Sequence, residues 1–210
     1  MKTDDLIAAL AADTLPQPTV AHRLARSFPV ALAICVAAFI AFWGTRPDLS
    51  AALASASVLK TVLPALLAVL AGAGVMALAH PGMRTDRRLG VIGLFIGALA
   101  VVLVVYLARG GVAGVVMALT KPSLLICLVS IPLLGLPLLV AILWSLSTGA
   151  VLRPRLTGAI AGLMAGGVSA AVYSAYCDTD MVLYVILAYG AAILSVAAIG
   201  ALAGPRLLRW

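Results

Sequence analysis

The sequence predicts an all-α fold: a polytopic membrane protein built as a bundle of six transmembrane helices. Hydrophobic residues make up 64% of the 210 residues, and only 10% are charged. A soluble domain is nearer half apolar and a quarter charged. The net charge of +7 fits basic loops beside an anionic bilayer. A soluble enzyme, a protein that binds nucleic acid directly and a secreted disulfide scaffold are therefore poor interpretations.

Six stretches are long and apolar enough to cross a hydrocarbon core of ~30 Å, which takes ~20 helical residues. They are Ser27–Thr45, Val58–Ala79, Leu89–Leu107, Leu124–Leu146, Leu156–Tyr176 and Met181–Ala203. Lys60 is the single charged residue within them, and it is the third residue of its span. We expect its stem to snorkel to the lipid headgroups. The chain then divides into a segment 1–26, a transmembrane domain 27–203 and a tail 204–210.

The basic residues predict the orientation of the bundle. With the N-terminus inside, the inner segments carry ten Lys and Arg residues and the outer segments carry four. This asymmetry follows the positive-inside rule, so both termini should be cytoplasmic. The outer segments Pro47–Ser57 and Ala108–Ser123 have an apolar rhythm that suits a short helix lying at the membrane interface.

The N-terminal residues predict a short amphipathic helix. Thr3 or Asp4 can cap it, and early acidic residues suit the helix dipole. Its apolar stripe is Leu6, Ile7 and Leu10, flanked by Asp4, Asp5 and Asp13. So short a helix is not stable alone. It is either a frayed tail or a docking helix that folds in the groove of a partner.

The fifth span carries Gly158, Gly162 and Gly166, one glycine every four residues. Small residues at this spacing let two helix backbones approach closely, and packing drives helix association in lipid. We interpret the series as a helix-packing face. Packing of the fourth span against the fifth through this series would bring the outer ends of those two spans together.

Two of the three cysteines fall at the same leaflet. Cys127 enters the fourth span from outside, and Cys177 directly follows the fifth span as it leaves. Cys35 lies near mid-membrane and is interpreted as an inert packing residue. The chain has no CxxC motif, so at most one pair is available.

Two other classes of function stay open. Pro64, Pro132 and Pro137 lie inside spans, and broken helices build sites in permeases and metal exporters. However, no Asp, Glu, Arg or His lies at mid-membrane, where such a residue would mark a transport path. A membrane thiol oxidoreductase should carry a CxxC pair, and no catalytic motif is present. We therefore expect no enzymatic activity and no cofactor.

Five stretches of the sequence are typical of one known family: MKTDDLIAALAAD (Met1–Asp13), KPSLLICLVSIP (Lys121–Pro132), the glycine series in Arg153–Gly166, Tyr176–Asp178 and GALAGPRLLRW (Gly200–Trp210). Together they resemble the NrsF family, six-span inner-membrane anti-sigma factors that negatively regulate an extracytoplasmic-function sigma factor. The likeness covers essentially the whole chain. Departures are STGAV (Ser147–Val151), where more basic residues are expected, and Leu183-Tyr184, where a tryptophan-tyrosine pair is expected.

The resemblance implies that the N-terminal segment holds the sigma factor, so we expect Asp4, Asp5, Leu6, Ile7, Leu10 and Asp13 to form the docking face. It also implies that Cys127 and Cys177 sense heavy metals or oxidants. The signal is either a disulfide or transient binding of a soft metal ion such as cadmium or mercury by two thiolates. Asp178 or Asp180 would be secondary ligands at best. The expected location is the bacterial inner membrane, with the sigma factor and membrane lipid as partners.

Overall fold

The structure is a computed structural model that describes residues 3–12, 19–80, 82, 85–121 and 123–208. In these ranges the chain forms α-helices and a 3₁₀ turn at Ala56–Val58. The helices are α1 (Thr3–Ala12), α2 (Val20–Phe42), α3 (Leu49–Leu53), α4 (Leu59–Leu78), α5 (Asp86–Leu119), α6 (Ser123–Leu146), α7 (Pro154–Tyr173) and α8 (Val182–Leu207). Six of them, α2 and α4 to α8, are long and apolar enough to span a membrane. The predicted all-α fold with six spans is confirmed.

Helix α7 is the centre of the bundle. It packs most extensively against α8 and α4 and also against α6, while α2 rests mainly on α6. Helix α5 contacts α4 and α8 at the periphery. The small side chains of α7 allow this arrangement, because a helix rich in glycine and alanine can accept neighbours on several sides.

The glycine series of α7 lies against α8. A Cβ on Gly158 would come within 2.1 Å of the Gly200 carbonyl oxygen, and one on Gly162 within 2.5 Å of the Val196 carbonyl oxygen. Gly166 faces Ile193 in the same way. The two backbones are therefore in direct contact. The series packs against the sixth span, whereas the sequence suggested that it packs against the fourth.

Two element boundaries differ from the prediction. Helix α2 begins at Val20 instead of Ser27, because the Thr19 side chain caps it by accepting a hydrogen bond from the His22 backbone N–H at 3.2 Å. Helix α5 runs unbroken from Asp86 to Leu119. The expected separate helix in 108–123 is therefore wrong: its apolar residues up to Leu119 continue α5. A short helix is present in 47–57 as α3, and its position at the membrane interface stays a prediction.

The connectors 43–58 and 174–181 meet at one end of the bundle, together with the first turns of α4, α6 and α8. Arg46 N–H donates to the Ala175 carbonyl at 3.0 Å, and Tyr184 on α8 donates to Ser123 on α6 at 3.0 Å. We call this the cysteine end. At the opposite end the start of α2 meets the α6–α7 connector, where a Cβ on Gly149 would lie 2.8 Å from a methyl group of Val20.

Candidate functional site

Cys127 and Cys177 lie together at the cysteine end. Cys127 is in the second turn of α6 and is fully buried, and Cys177 in the 174–181 connector is 3% exposed. A hydrogen bond from the Cys127 thiol holds the pKa of Cys177 below its usual range, against the opposing effect of burial. Both thiols are free. The pair therefore consists of two neighbouring buried thiols, one of which ionises more readily than a free cysteine.

Three tyrosines surround the two thiols. The Cys127 sulfur lies 3.6 Å from the Tyr173 hydroxyl and 3.1 Å from the Tyr184 hydroxyl. Tyr184 donates in turn to Ser123 at the start of α6. The ring of Tyr189 lies 6.3 Å from that of Tyr173, and its hydroxyl is buried beside Cys177. These phenols give the thiols polar neighbours that carry no charge.

Lys60, on α4, binds the connector in which Cys177 lies. Its ammonium donates to the Cys177 carbonyl and to the Asp180 carboxylate, the second contact at 2.6 Å. Lys60 is only 5% exposed, so the expectation that it snorkels to the headgroups is wrong. Because the Asp180 carboxylate lies within hydrogen-bonding distance, the Lys60 side chain points into the protein and not towards the lipid headgroups.

Arg46 holds the same connector from the other side. Its guanidinium donates to the Cys177 carbonyl at 3.3 Å and lies 3.5 Å from Asp180. It also pairs with Asp48 at 2.6 Å, which lowers the pKa of Asp48 to about 2. Burial opposes the ionisation of Asp180, but the hydrogen bond from Lys60 and the nearby cations hold its pKa below the usual range. Asp180 is therefore an anion that binds two cationic groups.

The thiol pair offers a metal ion two sulfur ligands. Within the described ranges no group of three Cys, His, Asp or Glu side chains is placed to hold a metal ion. Asp180 is occupied by Lys60 and Arg46, so the expectation that it completes a metal shell is not supported by its contacts. A soft ion would depend on the two thiolates.

Of the remaining predicted residues, those that the structure describes lie away from this pair. Asp4 and Asp5 are exposed on α1, and Ile7 is 59% exposed. Leu6 and Leu10 belong to α1, but their side chains, and Asp13 entirely, fall outside the described part of the chain. Cys35 is buried among apolar side chains midway along α2.

Sequence reasoning missed Tyr173, Tyr184, Tyr189 and Arg46. A signal was present for the three tyrosines, because Tyr173 falls inside the fifth predicted span and Tyr184 and Tyr189 inside the last, where a buried hydroxyl needs a partner. Arg46 gave no such signal. A basic residue just outside a span is usually solvated.

Comparison with known proteins identifies the family. The family model for NrsF, "Negative regulator of sigma F", matches residues 10–210. The chain is 33% identical to "Anti-sigma-F factor NrsF" of Caulobacter vibrioides (strain NA1000 / CB15N) and 32% identical to "Probable anti-sigma-F factor NrsF" of Azospira oryzae, in both cases over the whole of both chains. No solved structure matches significantly. The chain belongs to the NrsF family of negative regulators of sigma F.

Proposed function

We propose that this anti-sigma factor binds an extracytoplasmic-function sigma factor through its N-terminal segment and releases it under heavy-metal or oxidative stress. The stress acts on Cys127 and Cys177. The protein works by binding alone, without catalysis or a resident cofactor. The observation that carries the proposal is the buried thiol pair, which joins α6 to the connector that follows α7.

Helix α6 links the thiol pair to the N-terminal segment. Cys127 lies near its first residue, and Ser145 near its last residue hydrogen-bonds Ser27 of α2 at 2.8 Å. On the same side, the Arg23 guanidinium lies 5.5 Å from the centre of the Trp144 ring. Since α2 follows the N-terminal segment, a movement of α6 changes the position of that segment.

Two chemical events fit the pair. A two-electron oxidant would join the sulfurs in a disulfide, with loss of two protons to solvent and two electrons to the oxidant. A soft metal ion would instead displace both thiol protons and bridge two thiolates. Each event pulls α6 towards the connector.

The strength of these bonds suits a switch. Moving a two-state equilibrium from 1:99 to 99:1 takes ~5.5 kcal/mol. A covalent or thiolate–metal bond supplies this, whereas a single surface hydrogen bond contributes ~1 kcal/mol. Pro132 and Pro137 inside α6 each remove a backbone hydrogen bond, which makes this helix the one best suited to bend.

The proposed location is the bacterial inner membrane, with the cysteine end in the periplasm and both termini in the cytoplasm. The ten-to-four distribution of basic residues supports this. Reporter fusions after Lys121 and Asp178 should be active in the periplasm, and a fusion after Trp210 in the cytoplasm. A periplasmic signal from the Trp210 fusion would contradict the topology.

The experiment that tests the sensor is sigma-dependent transcription under cadmium and under dichromate. We expect Cys127→Ser and Cys177→Ser strains to lose induction and a Cys35→Ser strain, the matched control, to keep it. Normal induction in a strain with both Cys127→Ser and Cys177→Ser would refute the sensing role.

A further inference from the structure

The cysteine end contains a cluster of ionised groups that the sensing chemistry does not itself require. Lys60 is the single charged residue among the segments predicted to span the membrane, and it is buried. Burying an ammonium in a membrane protein is costly, and such residues usually have a functional role and a specific partner. Its partners are the carbonyl of Cys177 and the carboxylate of Asp180.

Among the described residues, both side-chain hydrogen bonds of Lys60 are made with the short connector that carries the thiol. The connector has further attachments: Ser174 shares a 2.6 Å hydrogen bond with Thr61 of α4, and the backbone of Ala175 and Cys177 accepts from Arg46. Lys60 binds both the Cys177 carbonyl and the Asp180 carboxylate, as Arg46 does, but its contact with Asp180 is much the shorter, 2.6 Å against 3.5 Å. It therefore fixes the position of the Cys177 backbone relative to α4.

We propose that Lys60, paired with Asp180, is the positioning residue of the sensor: it holds the connector closed on α4 and keeps the Cys177 sulfur buried beside Cys127. The inference rests on the proposed function, because the thiol that Lys60 positions is the sensor thiol. In the closed connector the two thiols are together before any signal arrives, so the reaction between them needs no large rearrangement.

The pairing of Lys60 with Asp180 also explains why the Cys177 thiol is shielded from water although it lies outside the helices. With Lys60 neutralised, Asp180 keeps the longer contact with Arg46 and the hydrogen bond with Ser57, and the Cys177 carbonyl loses its buried donor. The connector then opens more often, and the thiol becomes accessible to reagents from water. Local opening of this kind is measured by the rate of chemical modification.

The experiment uses the full-length protein in open membrane fragments, so that both faces are accessible. A charged methanethiosulfonate is added, and labelling of each cysteine is followed by peptide mass. We expect Lys60→Met and Asp180→Asn to label Cys177 at least about tenfold faster than wild type, which corresponds to ~1.4 kcal/mol lost from the closed state. Lys60→Arg, which keeps the charge and the donors, should restore much of the protection.

Two internal controls make the result decisive. Lys121→Met removes an exposed lysine from the same end and should leave the labelling rate unchanged. Cys35, buried within the bundle, reports global unfolding if it becomes labelled. If Cys35 becomes labelled in Lys60→Met, that variant has unfolded, and the labelling rate of Cys177 in the isosteric Asp180→Asn variant tests the positioning role instead. Labelling of Cys177 at the wild-type rate in a variant whose Cys35 stays protected overturns the positioning role.

Failure of the sensing proposal is seen separately. Normal induction of transcription in a Cys177→Ser strain would refute the sensor, while faster labelling in Lys60→Met would still show that Lys60 holds the connector. The two readouts therefore distinguish the two claims.

Discussion

Gly158 of α7 and Gly200 of α8 lie in direct backbone contact. A Cβ on Gly158 would come within 2.1 Å of the Gly200 carbonyl oxygen, and a Cβ on Gly200 within 2.2 Å of the Gly158 carbonyl oxygen. Neither position can accept a methyl group unless the helices move apart. This contact fixes the distance between the central helix of the bundle and the last one.

We expect Gly158→Ala to destabilise the full-length protein, because overpacking of a tight interface costs about 1–3 kcal/mol. Thermal unfolding in detergent measures the effect as a lower melting temperature. The matched control is Gly93→Ala on α5, where an added Cβ meets nothing within 4 Å. Equal losses in both variants would contradict the assignment of Gly158 to a close contact.

The six spans could be predicted from sequence because the bilayer fixes their length and excludes charge from their middle. Which helices pack against each other within the bundle could not be predicted in this way. The glycine series indicated a close contact, but it did not show that α8, rather than α6, supplies the other backbone.

The thiol pair was partly predictable. Counting residues along the spans placed Cys127 and Cys177 at one leaflet, but could not show that the Cys127 thiol reaches Cys177. The sequence led to the wrong side-chain direction for Lys60. A lysine near a span end usually turns to water, and only the folded chain brings Asp180, 120 residues away, within 2.6 Å.

The docking face predicts a specific loss of affinity. Leu6→Asp with Leu10→Asp places charges on the apolar stripe of α1, and losing an apolar anchor of a groove-bound helix costs ~2 kcal/mol or more, about thirtyfold in affinity. Binding of the sigma factor to the full-length protein in nanodiscs measures this. Leu6→Met with Leu10→Met, which keeps the stripe apolar, is the matched control and should bind as wild type. Undiminished binding by the variant with Leu6→Asp and Leu10→Asp would exclude this face.

The lowered pKa of Cys177 predicts a pH dependence of its alkylation. The thiolate is the nucleophile, so a lower pKa keeps Cys177 reactive to lower pH. Cys127→Ala removes the hydrogen bond that favours the Cys177 thiolate. The pKa of Cys177 should then rise, and the midpoint of its alkylation rate against pH should move upwards. Cys35→Ala serves as the control and should not move it; an unmoved midpoint in Cys127→Ala would show that the two thiols do not interact.

Release of the sigma factor from the purified complex tests the central claim most directly. The full-length protein with its bound sigma factor, in nanodiscs, is exposed either to cadmium or to a two-electron oxidant, and the released fraction is measured. We expect release from wild type and from Cys35→Ser, and retention by the protein carrying both Cys127→Ser and Cys177→Ser. Equal release from the double variant would contradict it.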